Sequence, residues 1–548
     1  MKLNDYINKS RKLSKHKSMK EIKIAFLSTF TINGLGEIMK VLCHDEKINV
    51  QTYVGPYGQY AQEILNTSSK LYSFNPNIIF MLFDAEQFLG DFFHFPYRLS
   101  ADERKGFIDG KLNEIQDLVK TLSKNTDSKM VLNSLLVPHY SSRGIHENKQ
   151  EKGLRKLIHY FNETLDKMSV NNSQLFIFDF NSFSSKIGHS NLVDRKMHYL
   201  GDLRISPQGL VDISKEYMAY IYPLASMTRK CIVLDLDNTL WGGVVGEDGL
   251  ENIKLGPEKD GKPFMDFQKR ILDMFERGII LAINSKNNYD DVKEVFKKHK
   301  YMILKEDKFA CIKINWQDKV SNMKEISKEL NIGLDSFVFF DDDKTNREMI
   351  KELLPEVLVV DMPDDPSLYP KTIEDLHVFN AFTLTKEDMK KGEMYAEQKK
   401  REDLKLKSTD IKSFLKELKI KTSITEANKF NTPRISQLTQ KTNQFNLTTR
   451  RYQEEDIKKF SSSEDYIVKC IDVKDRFGDY GITGAVIVKK SKDFWEIDTF
   501  LLSCRILGKE IEFGFMKNIL DNAKKAGVEV RAEFIPSKKN KPAENFLK

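Results

Sequence analysis

An apolar run that ends in two spaced acids is the feature that most constrains how this chain can fold. The stretch KCIVLDLDNTLWGG begins at Lys230, with Asp235 directly after the run CIVL and Asp237 two residues later. A short apolar run rich in β-branched residues is typical of a buried strand in a parallel sheet. The acids therefore lie at the carboxyl end of that strand, where open α/β sheets place their ligands.

The alternation of strand-like and helix-like segments predicts a multidomain α/β protein. It runs from about residue 20 to 220 and starts again at Lys230, which is typical of parallel sheets covered by helices. From about Thr409 the order changes to two helices followed by consecutive strands. In the central region the predicted strands are Cys231–Asp235, Ile279–Asn284, Met302–Leu304, Phe337–Asp341 and Val357–Val360. The predicted domains are residues 1–220, 225–385 and 409–548, with a helical connector at 386–408.

Composition and charge exclude several classes of protein. The 548 residues include 87 Lys and Arg against 80 Asp and Glu, spread along the chain, without the concentrated basic stripe that a nucleic acid would need. No apolar segment approaches the ~18 residues of a membrane span, and the charged N-terminus is unlike a signal peptide. Five cysteines without a C-x-x-C pair argue against a disulfide framework or structural zinc. We predict a cytoplasmic protein with neither a nucleic acid nor a membrane as its partner.

The acid pair suits a divalent cation and phosphoryl chemistry. Asp235 and Asp237 can face one point as the chain bends after the strand, with Thr239 close behind. Two converging carboxylates suit a hard cation such as Mg²⁺. One carboxylate can also attack phosphorus while the other works as acid and base.

Further polar residues follow at the ends of later elements. Ser285 follows the apolar run IILAIN, Lys319 opens a helix, and Asp341 and Asp342 end the strand FVFFDD. They offer a hydroxyl and an ammonium for phosphoryl oxygens and two more carboxylates for the metal. Each alone has a structural explanation, as a surface residue or a helix N-cap. The ordered set predicts a phosphoryl-transfer site.

Three strings of this central region resemble a known family. KCIVLDLDNTLWGGVVGEDG, KINWQDK and FFDDDKTNRE are similar to the FkbH-like branch of the haloacid dehalogenase (HAD) superfamily of aspartate-nucleophile phosphotransferases. The resemblance implies that Asp235 is the nucleophile, that Asp237 is the general acid and base, and that Lys319 assists catalysis. It also implies a phosphate-binding set and a Mg²⁺-binding set, namely Thr239, Ser285 and Lys319 for phosphate and Asp235, Asp237, Asp341 and Asp342 for the metal. Asn346 stands where the family usually has an acid.

The segment between Leu240 and Phe264 bears on the size of the substrate. It is short and rich in glycine, and so too small to form a folded cap domain. We expect an open site that admits a large substrate, such as the arm of a carrier protein. A glycine-rich flap that closes the pocket itself is the alternative.

The C-terminal region resembles the GNAT acyltransferase fold. Its loop SCRILGKE matches the pyrophosphate pattern R-x-x-G-x-G at Arg505 and Gly508, with Glu510 in place of the second glycine. A glutamate at a helix start repels phosphate, so we expect an acyl-pantetheine or carrier-protein groove instead of an acetyl-CoA site. The chain stops soon after its last strand, and we expect a shortened GNAT-like domain.

One cysteine of this loop is a candidate for covalent chemistry. Cys504 lies next to Arg505, which would favour the thiolate, and it would be the acylated thiol if the reaction passes through a thioester. A cysteine that ends an apolar strand is more often part of the core, which is the alternative reading. Cys311 is a weaker second candidate.

The N-terminal region resembles the SGNH-hydrolase-like module of longer family members. Ser28 follows the run IAFL, where such a fold holds its nucleophile, and Asp194 and His198 lie near the end of the region. The serine is outside a GDS turn, and the pair is D-x-x-x-H instead of D-x-x-H. We therefore expect a degenerate binding domain instead of an esterase.

The resemblance implies an α/β multidomain fold, in which a central HAD-like Rossmannoid parallel sheet is flanked by an SGNH-like α/β domain and a GNAT-like α+β domain. It implies a Mg²⁺-dependent enzyme that dephosphorylates a C3 donor such as 1,3-bisphosphoglycerate. The glyceryl unit would pass to a phosphopantetheinyl acyl carrier protein in polyketide or polysaccharide biosynthesis. Two alternatives stay open: a phosphatase for a phosphorylated sugar or small metabolite, and an inactive scaffold that docks carrier proteins.

Overall fold

The computed structural model describes residues 1–14, 21–395, 397, 401, 411–537 and 539–547. The chain forms two compact units, Met1–Met227 and Thr228–Lys548. Within the second unit, the predicted boundaries between domains stay a prediction. In the described part of the chain, no helix combines the length and apolarity that a membrane crossing requires.

A five-stranded parallel sheet forms the centre of the first unit. Its strands are β1 (Glu21–Ser28), β2 (Asn49–Val54), β3 (Ile78–Leu82), β4 (Lys129–Asn133) and β5 (Leu175–Phe178). Their order across the sheet is β2-β1-β3-β4-β5. Alternate residues of β1 enter two different cores, with Ile24 and Phe26 on one face and Ala25 and Leu27 on the other. Both faces are therefore buried, as the continuous apolar strands predict.

Helices cover this sheet on both faces. The α-helices are Leu3–Ser10, Leu35–Asp45, Tyr60–Leu65, Lys70–Phe74, Ala85–Leu89, Asp91–His94, Ala101–Asn125, Leu154–Val170, Phe180–Ile187, His189–Leu192, Arg195–Gly201 and Pro207–Ala225, and the 3-10 helices are Pro96–Arg98 and Gly144–Lys149. The long helix Ala101–Asn125 begins at a capping box: the Ser100 hydroxyl accepts from the Glu103 amide, and the Glu103 carboxylate accepts from the Ser100 amide.

A second five-stranded parallel sheet lies in the second unit. Its strands are β6 (Cys231–Leu234), β7 (Ile280–Ser285), β8 (Phe309–Ile314), β9 (Phe337–Phe340) and β10 (Leu358–Val359), in the order β10-β9-β6-β7-β8. The predicted strand Met302–Leu304 is wrong, because the third strand is β8. The amides of Ile303 and Leu304 donate to the side-chain oxygen of Gln268 (3.0 and 3.1 Å) instead of to a neighbouring strand.

A mixed sheet follows in the same unit. Its strands are β11 (Lys421–Glu426), β12 (Phe445–Asn446), β13 (Tyr466–Lys474), β14 (Asp479–Lys490), β15 (Phe494–Leu502) and β16 (Glu529–Ala532), in the order β11-β13-β14-β15-β12 with β16 parallel to β15. β11 was not predicted from the sequence, because this edge strand is largely exposed and its sequence KTSITE is mostly polar. Antiparallel strands β13, β14 and β15 give the region its α+β character.

The helices of the second unit lie between and after the strands of these two sheets. The α-helices are Val245–Asp248, Lys262–Glu276, Tyr289–Lys298, Lys319–Leu330, Lys344–Leu353, Tyr369–Glu374, Lys386–Met389, Ile411–Leu418, Thr432–Lys441, Glu454–Ser462, Ile511–Ala526 and Lys541–Leu547, and the 3-10 helices are Glu306–Lys308, Leu334–Ser336, Pro366–Leu368, His377–Phe379 and Cys504–Ile506. Of the predicted connector, residues 386–389 and 391–395 are helical, and part of the remainder lies outside the described residues.

Candidate active site

The candidate site lies at the carboxyl end of β6, where the strand order of the central sheet reverses. β6 lies between β7 and β9, which leaves a crevice outside the ends of β6 and β9. Leu234 of β6 pairs with Phe340 of β9. The residues that follow them, Asp235 and Asp341, therefore enter the crevice side by side.

A left-handed residue bends the chain directly after the acid pair. Asn238 has a φ of +53°, a conformation that asparagine tolerates because its short side chain can hydrogen-bond locally. Its side-chain oxygen accepts from the Gly243 amide at 2.9 Å. The buried Thr239 follows, and its hydroxyl oxygen lies 3.2 Å from the Asp342 amide and 3.4 Å from the Asp342 carboxylate. The structure thus brings Thr239 to a metal-ligand candidate, and its phosphate-binding role stays a prediction.

Three of the predicted metal ligands converge at this point. One carboxylate oxygen from each of Asp235, Asp341 and Asp342 lies within 4.8 Å of the others. Arg347 donates to the backbone carbonyls of Asp341 (2.8 Å) and Asp342 (2.5 Å) and fixes their turn. Carboxylate oxygens grouped in this way are the ligands that Mg²⁺ prefers. The residues present therefore fit this ion.

The structure does not bring Asp237, the fourth predicted ligand, into that group. Its carboxylate accepts hydrogen bonds from the Trp241 indole (2.8 Å), the Asn287 side chain (2.8 Å) and the Val245 amide (3.1 Å). Both of its oxygens are occupied by these donors. Burial raises the pKa of Asp237, and the hydrogen bonds oppose the rise. A carboxyl group balanced in this way suits proton transfer.

Lys319 links two of the acids. Its side chain is only 3% exposed, and its ammonium lies 3.0 Å from Asp235 and 2.5 Å from Asp341. Burial alone would lower the pKa of Lys319, but the two carboxylates raise it above its ordinary value. The ammonium therefore stays charged in the crevice, where it can neutralise phosphoryl oxygens.

The crowding of carboxylates raises two further pKa values. Burial, followed by the charge of Asp235, raises the pKa of Asp341 to about 7 and that of Asp342 to about 6, while Lys319 opposes both rises. Without a metal, these side chains therefore take up protons close to neutral pH. A divalent cation would compete with those protons.

Ser285 is the last residue of β7 and is buried. Ile283 pairs with Leu234 of β6, so Ser285 lies level with the loop that carries Asp235 and Asp237. Its backbone carbonyl accepts from the Asn315 amide at 3.2 Å. The hydroxyl is thus at the correct edge of the sheet, and its contact with phosphate stays a prediction.

Three residues that hold this site were not predicted from the sequence. Trp241 and Asn287 bind the Asp237 carboxylate, and Arg347 fixes the turn after β9. Asn287 follows Ser285 by two residues at the end of the same strand, a spacing that could have indicated an amide at the edge of the sheet. Trp241 and Arg347 stand inside the strings of the family resemblance, but nothing in their spacing indicates which acids they contact.

Cys504 is not part of this site. It is partly buried and contacts Tyr395, whose pKa is raised by burial, by Cys504 and by the neighbouring Cys231. Cys231 begins β6 whereas Asp235 follows its last residue, and a four-residue strand spans about 13 Å. The structure therefore places Cys504 near the amino-terminal edge of the central sheet and Asp235 at the carboxyl edge. Cys311, the second candidate, is buried in the core of that sheet.

Two residues of the predicted pyrophosphate loop have a left-handed backbone conformation. Gly508 has a φ of +75° and Glu510 a φ of +60°, directly before the helix Ile511–Ala526. Glycine would adopt the second conformation without strain. Arg505 lies 3.0 Å from the sulfur of Met394. A pantetheine-binding role for Arg505 and Gly508 stays a prediction.

In the first unit, the residues of the predicted hydrolase site have structural contacts. The Ser28 hydroxyl donates to the backbone carbonyl of Phe30 at 2.6 Å. Asp194 caps the helix that contains His198 by accepting two backbone amides. Burial raises the pKa of Asp84, which follows β3, and the nearby His198 opposes this rise weakly. Ser28 is thus directed at its own loop, and the expectation of a binding domain instead of an esterase stays a prediction.

Comparison with known proteins finds similarity over the larger part of the chain. Residues 23–221 match the family model described as the N-terminal domain of FkbH. The N-terminal part of the protein BF1531 from Bacteroides fragilis, which contains a phosphatase domain and is complexed with Mg, is 28% identical at a TM-score of 0.64. The match covers 70% of this chain and 100% of that chain. These findings confirm the resemblance to FkbH-like proteins of the HAD superfamily and the multidomain α/β fold.

Acetyltransferase structures are similar to a smaller part of the chain. A GNAT family acetyltransferase from Staphylococcus aureus is 14% identical at a TM-score of 0.17, over 22% of this chain and 90% of that chain. Glucosamine-6-phosphate N-acetyltransferase from Arabidopsis thaliana is 17% identical at a TM-score of 0.18, over 23% and 89%. Such low scores carry no argument, so the α+β fold of this region rests on its own sheet. None of the curated proteins matches the chain significantly.

Proposed function

We propose that this chain is a Mg²⁺-dependent phosphatase of the HAD type that uses Asp235 as its nucleophile. The observation that carries the proposal is the buried Lys319 ammonium between Asp235 and Asp341, with Asp342 completing the group of carboxylates. Phosphoryl transfer requires mainly positioning and charge neutralisation, and these residues supply both. The similarity to a phosphatase domain complexed with Mg supports the proposal.

The protein residues divide the chemistry between them. A carboxylate oxygen of Asp235 forms a bond to phosphorus while the bond from phosphorus to the ester oxygen breaks, and Asp237 gives its proton to that oxygen. Asp237 then takes a proton from the water that attacks the aspartyl phosphate, which releases phosphate and restores Asp235. Trp241 and Asn287 hold Asp237 in position for both steps. Asp235, Asp341 and Asp342 would hold Mg²⁺, which would supply positive charge against the phosphoryl oxygens.

We further propose that the substrate is a C3 acyl donor of the 1,3-bisphosphoglycerate type and that an acyl carrier protein receives the glyceryl unit. The two phosphates of this donor differ in chemistry. Attack of the carrier's thiol on the acyl carbon forms the thioester, breaks the bond to the acyl phosphate oxygen and releases one phosphate. The other phosphate is an ester, which is the kind of group that the Asp235 site removes.

The residues near the entrance to the site support the proposal of a large substrate. The segment from Leu240 to Phe264 contributes the helical turn Val245–Asp248 and an isolated pairing of Gly242 with Lys254. At the rim, the Trp316 side chain is 72% exposed and donates from its indole to Asn288 at 3.1 Å. An exposed aromatic ring held at the rim offers a contact surface for an arm that reaches inwards.

The position of Cys504 favours a second candidate, a phosphatase that acts on a small phosphorylated metabolite without acyl transfer. Cys504, the predicted acylated thiol, is separated from Asp235 by about the length of β6, so the chain itself does not unite the two chemistries at one point. An inactive scaffold is less well supported, because the acids of the site are all present and Lys319 remains between two of them.

Intact-protein mass spectrometry of a holo acyl carrier protein separates these functions. The carrier is incubated with 1,3-bisphosphoglycerate, Mg²⁺ and either the wild-type enzyme, Asp235→Asn or, as a matched control, Ser28→Ala. Wild type and Ser28→Ala should give a glyceryl carrier, whereas Asp235→Asn should give no glyceryl carrier or one that still carries phosphate. Phosphate release with an unmodified carrier would establish the second candidate. The absence of both a glyceryl carrier and released phosphate would support the scaffold.

A further inference from the structure

A group of cations surrounds one buried carboxylate outside the Asp235 site. Lys391, Arg434 and Lys441, here called the cation cluster, converge on a single oxygen of Asp388. Lys391 pairs with this oxygen directly, Lys441 lies 3.8 Å from it and Arg434 lies 3.9 Å from it. Three positive groups therefore share one negative group.

Asp388 is already saturated with hydrogen bonds. Its second oxygen accepts from the hydroxyl (2.9 Å) and the amide (3.1 Å) of Thr385 and from the side chain of Gln437. It thus has little capacity to neutralise more than one cation. Glu387 adds a negative charge near Arg434, whereas Arg505 adds a positive one.

The charges of the cation cluster disfavour one another. Burial, and then the charge of Lys441, lowers the pKa of Lys391. Burial, and then the charge of Arg505, lowers the pKa of Arg434 to about 10. The pKa of Lys441 is lowered by burial and by Arg434, although Asp388 opposes this. Ion pairs with enough negative charge would raise these pKa values instead.

Two side chains of the cation cluster are partly exposed. The side chains of Lys391 and Lys441 are 26% and 38% exposed, while Arg434 is 5% exposed and donates to the carbonyl of Ile482 at 3.1 Å and to the side chain of Gln437. Two partly exposed lysines thus lie beside a fixed guanidinium, a combination of donors that suits the oxygens of a phosphate.

We infer that the cation cluster is a second phosphate-binding site, for inorganic phosphate or the phosphate group of an ester. One helical face joins the cation cluster to a residue that contacts Cys504. Lys391 and Tyr395 are four residues apart on one helical stretch and therefore share a face, and Tyr395 contacts Cys504. This inference stands on the cation cluster alone and does not depend on the proposed phosphatase activity.

Thermal unfolding of the full chain in increasing inorganic phosphate tests the inference. EDTA keeps divalent cations from the Asp235 site, and chloride keeps the ionic strength constant. Phosphate should raise the unfolding temperature of the wild type and of Asp235→Asn equally. Lys441→Met should weaken the apparent affinity at least about tenfold, because a charge-assisted hydrogen bond is lost. Lys441→Arg should retain most of the affinity, and Lys458→Met, which alters an exposed lysine of a neighbouring helix, should retain all of it.

The unfolding temperature of Lys441→Met in the absence of phosphate supplies an independent readout. Without phosphate, Lys441→Met should unfold at the same temperature as the wild type or a higher one, because it removes a disfavoured charge. A lower unfolding temperature combined with an unchanged phosphate response would identify a structural ion pair and overturn the inference. It would also be overturned if phosphate did not stabilise the wild type, if Lys441→Met responded like the wild type, or if the response disappeared in Asp235→Asn.

Discussion

The two parallel sheets of this chain offer the same topological position and fill it differently. β1 lies between β2 and β3, and β6 lies between β7 and β9, so each sheet has a crevice beside its first strand. In the first unit, the Ser28 hydroxyl is bound to the Phe30 carbonyl and Asp84 caps a short helix. In the second unit, Asp235 and Asp341 face a shared ammonium.

This difference shows that the sheet topology creates a crevice and that the charged side chains in the crevice determine its chemistry. In the central sheet, one buried cation serves several carboxylates, and two of those carboxylates have raised pKa values. In the first unit, Arg204 lies 3.1 Å from Glu86 and 2.7 Å from Asp202, within an ion-pair group that holds loops together. The first arrangement can accept a metal and a phosphate, whereas the second pairs its cation with carboxylates of its own loops.

Replacing the first residue of each crevice should give the largest contrast. Asp235→Asn should lower kcat for a phosphate ester by at least about 10³-fold, as expected when a nucleophile is lost. Ser28→Ala and His198→Gln should leave kcat within about twofold. Steady-state phosphate release measures all three variants. A comparable loss in Ser28→Ala would break the comparison, because it would give both crevices a part in the reaction.

Removing the buried cation of each crevice should give the next largest contrast. Lys319→Met should lower kcat by about 10²- to 10³-fold, because charge on the phosphoryl oxygens loses a preorganised partner. It should also destabilise the metal-free protein, since Asp235 and Asp341 remain buried without a counter-charge, and Mg²⁺ should restore part of that stability. Arg204→Met should destabilise the first unit and leave kcat unchanged. Activity and thermal unfolding with and without Mg²⁺ distinguish these effects.

Acid should weaken metal binding at the central sheet. The raised pKa values of Asp341 (about 7) and Asp342 (about 6) mean that protons occupy these ligands as the pH falls below neutral. The apparent Mg²⁺ affinity should therefore fall roughly ten- to twentyfold from pH 8 to pH 6. Isothermal titration at several pH values measures it. An affinity that is independent of pH over this range would show that these carboxyl groups are not the ligands.

Replacing Asn287, which donates a hydrogen bond to Asp237, should have the smallest effect on kcat. Asn287→Ala removes a donor to the Asp237 carboxylate, which should raise the pKa of Asp237 further. We expect kcat to fall about tenfold with little change in KM, and the acidic limb of the pH profile to move to higher pH. Asn288→Ala, which alters the neighbouring residue at the rim, is the matched control and should leave the pH profile unchanged. A fall in kcat without a shift of the profile would contradict the role of Asn287.

The sequence predicted those parts of the site that lie next to apolar strands. The runs CIVL and FVFF place Asp235 and Asp341 at the same edge because neighbouring parallel strands end together. The same reasoning failed for Met302–Leu304, where the amides of Ile303 and Leu304 donate to the side chain of Gln268, more than 30 residues earlier in the chain. No local pattern reports such a distant partner.

Contacts between residues that are distant in sequence also explain why other predicted residues lie outside the metal-ligand group. The sequence indicates that Cys504 follows a strand, but it cannot show that the thiol lies near the start of β6 instead of its end. Likewise, the spacing of Asp237 suggested a metal ligand, and only the folded loop shows that Trp241, Val245 and Asn287 take up its oxygens. Strand ends are local properties, whereas hydrogen-bond partners depend on the whole sheet.

Borohydride trapping during turnover, followed by peptide mass spectrometry, tests directly whether Asp235 is the nucleophile. An aspartyl phosphate is reduced to homoserine, so the enzyme is treated while it turns over a phosphate ester in the presence of Mg²⁺. We predict that homoserine appears at position 235 and that it is absent when substrate or Mg²⁺ is omitted. Phosphate release without homoserine at position 235, or homoserine at Asp237 or Asp84 instead, would contradict the account.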